Sequence, residues 1–234
     1  MNLKELKKTI RANANKDHAK TMQWFFKTGK GEYGEGDKFI GIKVPVQRKI
    51  AKKFGELDLE DLQKLLNSKI HEERLISLLI LVDKYDKADE KVKDKIYRFY
   101  KKNRRKINNW DLVDLSAPKI LGIHLLNHDK QILYKYAHSK NLWEKRISII
   151  STYSFIKNHD FNTTLEILAI LLNDDQDLIH KAVGWMLREV GKQSLQILEK
   201  FLKPRYKKMP RTMLRYSIEK FPEKKRKKYL KGEI

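Results

Sequence analysis

An all-helical chain is what this sequence predicts, and three observations carry the prediction. Apolar residues recur three and four apart, the alternation that a half-buried strand needs is nearly absent, and only ten glycines and five prolines interrupt 234 residues. The helical period is plain in Leu75, Leu78, Leu79 and Val82, and again in Ile147, Ile150, Ser151 and Ser154. Helix starts are expected at Pro45, Asp58, Asp89, Asp111, Asp129, Asp177 and Pro210, where a cap, an early carboxylate or a fixed φ favours the first turn. Gly55 and Gly191 read as helix stops. Roughly a dozen helices of about 10–17 residues joined by short turns are expected, with no sheet.

A repeat appears when the apolar helices are laid over one another. EERLISLLIL (72–81), EKRISIISTY (144–153), IHKAVGWMLR (179–188) and MLRYSIEKF (213–221) each set a basic residue ahead of a compact apolar helix. Arg74 and Arg146 are two units of 36 apart, Arg146 and Lys181 are 35 apart, and Lys181 and Arg215 are 34 apart. The helix around Ser116–Gly122 fills the space between the first two. Helix pairs with a period in the thirties are the mark of an α-solenoid, in which one helix of each pair lines a concave face.

Composition narrows the function. With 41% hydrophobic residues the chain has material for a core, and it is taken as a single domain over 1–234, with a glycine-rich loop at 29–44 and a basic segment at 222–234. The complete lack of cysteine excludes disulfides, thiol nucleophiles and Cys-ligated metal. No apolar run is long enough to span a membrane, and the charged N-terminus is unlike a signal peptide, so a soluble, cytoplasmic protein is expected. A net charge of +22 favours a polyanionic partner, nucleic acid first. Basic clusters with aromatic neighbours support it: Arg104-Arg105-Lys106 near Tyr100, Lys203–Lys208 around Tyr206, Arg211 and Arg215 beside Tyr216, and Lys224–Lys228 before Tyr229. The last of these equally suits a loose tail.

Half of the glycines fall in TGKGEYGEGDKFIGIKVP, where Gly29–Gly34 literally matches G-x-G-x-x-G. That motif needs a strand before it and a parallel sheet around it. Here a helical MQWFFK precedes it, so a dinucleotide site is rejected in favour of an ordered loop.

Two helices hold the candidate chemistry. In INNWDLVDLSAPKILG (107–122), Trp110 and Asp114 are four apart and share one helix face, with Asp111 read as the cap. In IHKAVGWMLREVGK, Trp185 and Arg188 are three apart, and Gly184 would let a ligand backbone come close. From spacing alone, core packing is the stronger reading of both tryptophans, with Asp114 a solvated or capping residue, and a binding role comes second. Arg146, at the basic position of its repeat, equally suits a tie between repeats. His124 and His128 have the spacing of metal ligands but no third partner, so no metal is assigned.

These residues are also where the chain resembles the AlkD-type DNA alkylation repair glycosylases with HEAT-like repeats. Five blocks in order carry the resemblance: residues 24–52, 108–122, 142–157, 181–192 and 213–221. It implies a right-handed α-solenoid gripping duplex DNA in a basic concave face, and excision of cationic N7- or N3-alkylated purines, 7-methylguanine and 3-methyladenine among them. It also implies Trp110, Asp114, Arg146 and Trp185 as the catalytic set, converging on that face. Arg188 would be a backbone-contacting or supporting residue, and Lys43 and Phe25 further DNA contacts along with Arg211 and Arg215. A monomer needing no metal or organic cofactor is expected. A non-catalytic binder of damaged or branched DNA, and a protein-binding solenoid, remain as alternatives at this point.

Overall fold

The computed structural model describes residues 2–234, and the chain folds as two compact units, Met1–Ile120 and Leu121–Ile234. Unit 1 holds α1 (Leu3–Ala12), α2 (Lys16–Phe25), α3 (Val44–Lys53), α4 (Leu59–Leu66), α5 (His71–Lys87), α6 (Glu90–Asn103) and α7 (Trp110–Ala117). A π-helical turn, Pro118–Gly122, follows α7. Unit 2 holds α8 (Gln131–Ala137), α9 (Leu142–Ser151), α10 (Tyr153–Lys157), α11 (Asn162–Ile170), α12 (Asp177–Gln193), α13 (Leu195–Leu202), α14 (Arg211–Ser217) and α15 (Glu223–Lys231). The described residues form no strand; one isolated bridge, Lys38 to Ile70, is the nearest approach to one. None of their helices is long and apolar enough to cross a membrane.

The repeat segments are the central helices. In unit 1, α5 packs against α3, α4 and α7; in unit 2, α9 packs on α8 and α12, and α12 on α13 and α14. One device recurs in both. Ser77 Oγ donates to Leu62 O, and Ser148 Oγ to Leu133 O, each bond joining a central helix to the partner helix fifteen residues back. Each buries a hydroxyl without leaving it unpaired. Around them lie the fully buried Leu62, Leu75 and Ile76 of unit 1 and Ile147, Val183 and Leu187 of unit 2.

Local signals hold where side chain and backbone agree. Asp58 and Asp89 cap α4 and α6, accepting from Asp61 N and Val92 N, both at 2.8 Å. Pro45 lies in the first turn of α3, whose C-cap, Phe54, directly precedes Gly55. Other expectations fail. The cap of α7 is Asn109, not Asp111, and several helices are shorter than expected, α10 having five residues. Gly191 does not end α12, which runs on to Gln193. It is a packing residue, since a Cβ there would lie 2.4 Å from Leu198 Cδ2 of α13. Gly184 likewise serves the approach of α14, with Tyr216 Cβ and Met213 O at 2.5 and 2.6 Å from its would-be Cβ, and not that of a ligand. The basic C-terminal run is no loose tail: it forms α15, whose Tyr229 is buried against Tyr206 and Phe221.

Candidate functional site

α7 is held at its start by a buried charge cluster that spacing did not reveal. His71, the first residue of α5, is fully buried, and its Nε2–H donates to Asp111 Oδ2 at 2.8 Å. Its Nδ1–H donates to Asp37 Oδ2 at 3.0 Å, and Arg74 Nη2 donates to Asp37 Oδ1 at 2.7 Å. Asn109 closes the circuit: it donates to Asp37 at 3.2 Å and caps Trp110 N at 2.8 Å. Asp111 thus joins α7 to α5 instead of capping it. Burial pulls the His71 pKa down, but the charge and hydrogen bond of Asp111 and the hydrogen bond of Asp37 outweigh burial and Arg74, raising it to about 9. Burial pushes the Asp37 carboxyl up, yet the hydrogen bond from His71 and the charge of Arg74 hold it below its ordinary value. The imidazolium is therefore doubly hydrogen-bonded between two carboxylates, which offsets much of the cost of burying it.

Glu72, the next residue, is buried too and accepts from the backbone of Ile40, Gly41 and Ile42 at 2.8–3.2 Å. The loop 37–42 is thereby pinned to the start of α5. The signal in the sequence was HEER opening the apolar run LISLLILV, four ionisable residues where the pattern places the core.

Above this floor the aromatic rings form a column. Phe39 stacks on His71 at 4.4 Å, Phe26 on Phe39 at 4.8 Å, and Trp110 on Phe26 at 5.1 Å with an interplanar angle of 6°. Phe25 meets Trp110 edge-on at 6.1 Å. Trp110 is half-buried, one face taken by the cluster of Met22, Phe26 and Phe39. Core packing and partial exposure thus hold for the same side chain. Asp114, one turn along α7, is also half-buried. Lys43 is exposed at the start of α3.

Unit 2 holds the other residues. Arg146 is buried in α9, and its Nη1 donates to Leu178 O in the first turn of α12 at 2.6 Å, the tie between neighbouring helices that its repeat position suggested. Trp185 is half-buried on α12, its Nε1–H bonded to Glu189 at 3.1 Å and its ring 6.3 Å from that of Tyr153. Arg188 is engaged by Glu219, with Glu189 at 3.6 Å. On α14, Arg211 donates to Leu230 O at 2.8 Å and Arg215 is exposed. His124 and His128 stack on each other at 4.3 Å. Trp110, Asp114, Phe25 and Lys43 thus belong to unit 1, and Arg146, Trp185, Arg188, Arg211 and Arg215 to unit 2.

Fold and site together define an all-α repeat protein that mounts an aromatic–carboxylate pair on a braced helix. The chain belongs to the DNA alkylation repair enzyme family, whose model matches residues 6–221. Membership implies DNA as the substrate and alkylation damage as what is repaired. Among solved structures it is similar to a "Predicted DNA alkylation repair enzyme from Enterococcus faecalis", at 16% identity and a TM-score of 0.70, covering 90% of this chain and 98% of that one. At that identity the likeness speaks for the fold. The chain has no match among curated proteins.

Proposed function

We propose that the chain is a DNA glycosylase that hydrolyses the N-glycosidic bond of N7- and N3-alkylated purines in duplex DNA. The observation that carries this reading is Asp114 one helical turn from Trp110, on a helix locked by His71–Asp111 below and by Phe26 beside it. Catalytic groups need that kind of fixed placement, because transition-state contacts gain most when no reorganisation is required.

An N7- or N3-alkylpurine is already a cation. When its C1′–N bond breaks, the bonding pair moves onto the ring and neutralises it, so no proton need be supplied to the leaving base. The sugar is left with oxocarbenium character; water adds at C1′ and loses a proton. The Asp114 carboxylate stabilises the developing positive charge and orients that water. The half-buried indole of Trp110 attracts the cationic nucleotide by cation–π interaction, about 0.5–2 kcal/mol. Trp185 offers a further aromatic face to the DNA. Arg146 holds its unit in register and, through its guanidinium, contributes to the phosphate field. Lys43, Arg211 and Arg215 add phosphate contacts without sequence preference, and Phe25 supports Trp110.

The test is release of free 7-methylguanine from a methylated duplex, with an abasic site left behind. Tight binding of that duplex without release would instead make the chain a non-catalytic binder of damaged DNA.

A further inference from the structure

The glycine-rich loop has no part in the chemistry above, yet it is built in detail and borders two unburied rings. Trp24 and Phe25, at the end of α2, are 81% and 56% exposed, more than any other large hydrophobic side chain of the described residues. Exposed aromatic side chains lining one cleft mark a place where something binds. A cleft of about 530 Å³ opens there, lined by Gln23, Trp24, Phe25, Lys27, Thr28 and Glu32.

The loop braces this pair. Gly34 N donates to Lys27 O at 3.0 Å, folding the segment back over the end of α2, and a Cβ on Gly34 would lie 2.3 Å from Phe26 O. Lys27 makes the turn in the left-handed region, at φ 49°. Glu32 and Glu35 accept from Gly29 N and Gly31 N, each at 2.8 Å, so both carboxylates are tied to loop backbone. Tyr33 OH donates to Phe25 O at 3.4 Å. Lys20, Lys27 and Lys30 are exposed along the same stretch. Phe25 also touches Trp110, so the exposed pair continues the aromatic column of the candidate site.

We propose that Trp24 and Phe25 form a stacking platform for an unpaired nucleobase of the DNA, with Lys27 and Lys30 taking the adjoining phosphates. This rests on the reading that the chain acts on DNA, though not on excision itself. Every base has a π-face, so the platform needs no sequence preference. A base acquires that free face where its pairing is disrupted, as at a lesion, and the platform adjoins the residue proposed to meet the lesion. The charge of the chain favours this occupant over an apolar segment of protein.

The test is binding of a short duplex bearing one bulged 2-aminopurine against the same duplex fully paired, read by anisotropy and by 2-aminopurine fluorescence. The wild type should prefer the bulged duplex and quench its probe. Trp24→Ala should weaken binding of the bulged duplex roughly 5- to 100-fold and abolish the quenching, with binding of the paired duplex unchanged. Trp24→Phe should restore most of the preference. The thermal midpoint of Trp24→Ala should stay at the wild-type value, because that side chain is exposed. Equal loss on both duplexes, or unaltered preference and quenching in Trp24→Ala, would overturn the proposal. Asp114→Asn should keep the preference. A preference that persists while 7-methylguanine is not released sinks the glycosylase reading alone, and release without any preference sinks the platform alone.

Discussion

Replacing His71 by glutamine removes the one cation lying between Asp37 and Asp111 while nearly keeping the volume. The pKa rise from 6.5 to about 9 corresponds to about 3 kcal/mol favouring the folded, protonated state. Breaking a buried ion pair by removing one partner costs a similar amount, about 3–5 kcal/mol. For a chain of this length about 3 kcal/mol lowers the thermal midpoint by roughly 6–12 °C. The pH dependence follows from the same shift. Because the folded pKa of His71 is the higher one, its stabilisation is complete below about 6.5 and is lost as pH rises through about 9. Asp37 acts in the opposite sense: its folded pKa is lowered, so its contribution holds above 3.8 and is lost as pH falls through the folded value. Urea unfolding between pH 5 and pH 10 measures the His71 contribution, and a wild type losing stability from neutral to about pH 9 while His71→Gln stays flat is expected; the Asp37 contribution is read by extending the series below pH 3.8. A His71→Gln variant within about 1 kcal/mol of wild type at pH 6, or a flat wild-type profile, would refute the ion-pair reasoning.

Three further outcomes are expected. With about 5–8 phosphates neutralised, log K for duplex binding should fall with log salt at a slope of about −4 to −7, and a slope near zero would contradict phosphate-dominated binding. Arg146→Ala leaves Leu178 O without its charged donor and should cost roughly 2 kcal/mol of stability, with reduced excision and weaker DNA binding in the same assays. Gly184→Ala places a methyl against Tyr216 and Met213 and should cost roughly 1–3 kcal/mol in unit 2, seen as faster hydrogen exchange along α12 and α14.

Much of this molecule was legible in its sequence, and the limits of that reading have physical causes. Helix period and caps depend on neighbours three or four residues apart, which is why Asp58, Asp89 and the repeat helices α5, α9, α12 and α14 were found. Gly191 and Gly184 were misread because their reason is tertiary: each leaves room for a helix that follows, and nothing local distinguishes that from a stop or a ligand notch. Asp111 reads as a cap because it stands at the helix start, but Asn109, two residues before it, has the same capacity and holds the position. The partners in the charge cluster lay beyond pattern reasoning, since its bonds join residues 34, 37, 40 and 72 positions apart, and the HEER run marks only its members on α5. Spacing and family resemblance point to Trp110 and Asp114. Neither shows the His71 brace and the Phe26 stack that keep them in place.

The central claim is that a fixed carboxylate drives departure of a base that supplies its own charge. Its most direct test compares single-turnover release of 7-methylguanine and of uracil by the wild type and by Asp114→Asn. The wild type should release 7-methylguanine, neither protein should release uracil, and 7-methylguanine release should fall on the order of 10²-fold or more in Asp114→Asn with duplex binding unchanged. Efficient uracil release by the wild type, or full 7-methylguanine activity in Asp114→Asn, would contradict it.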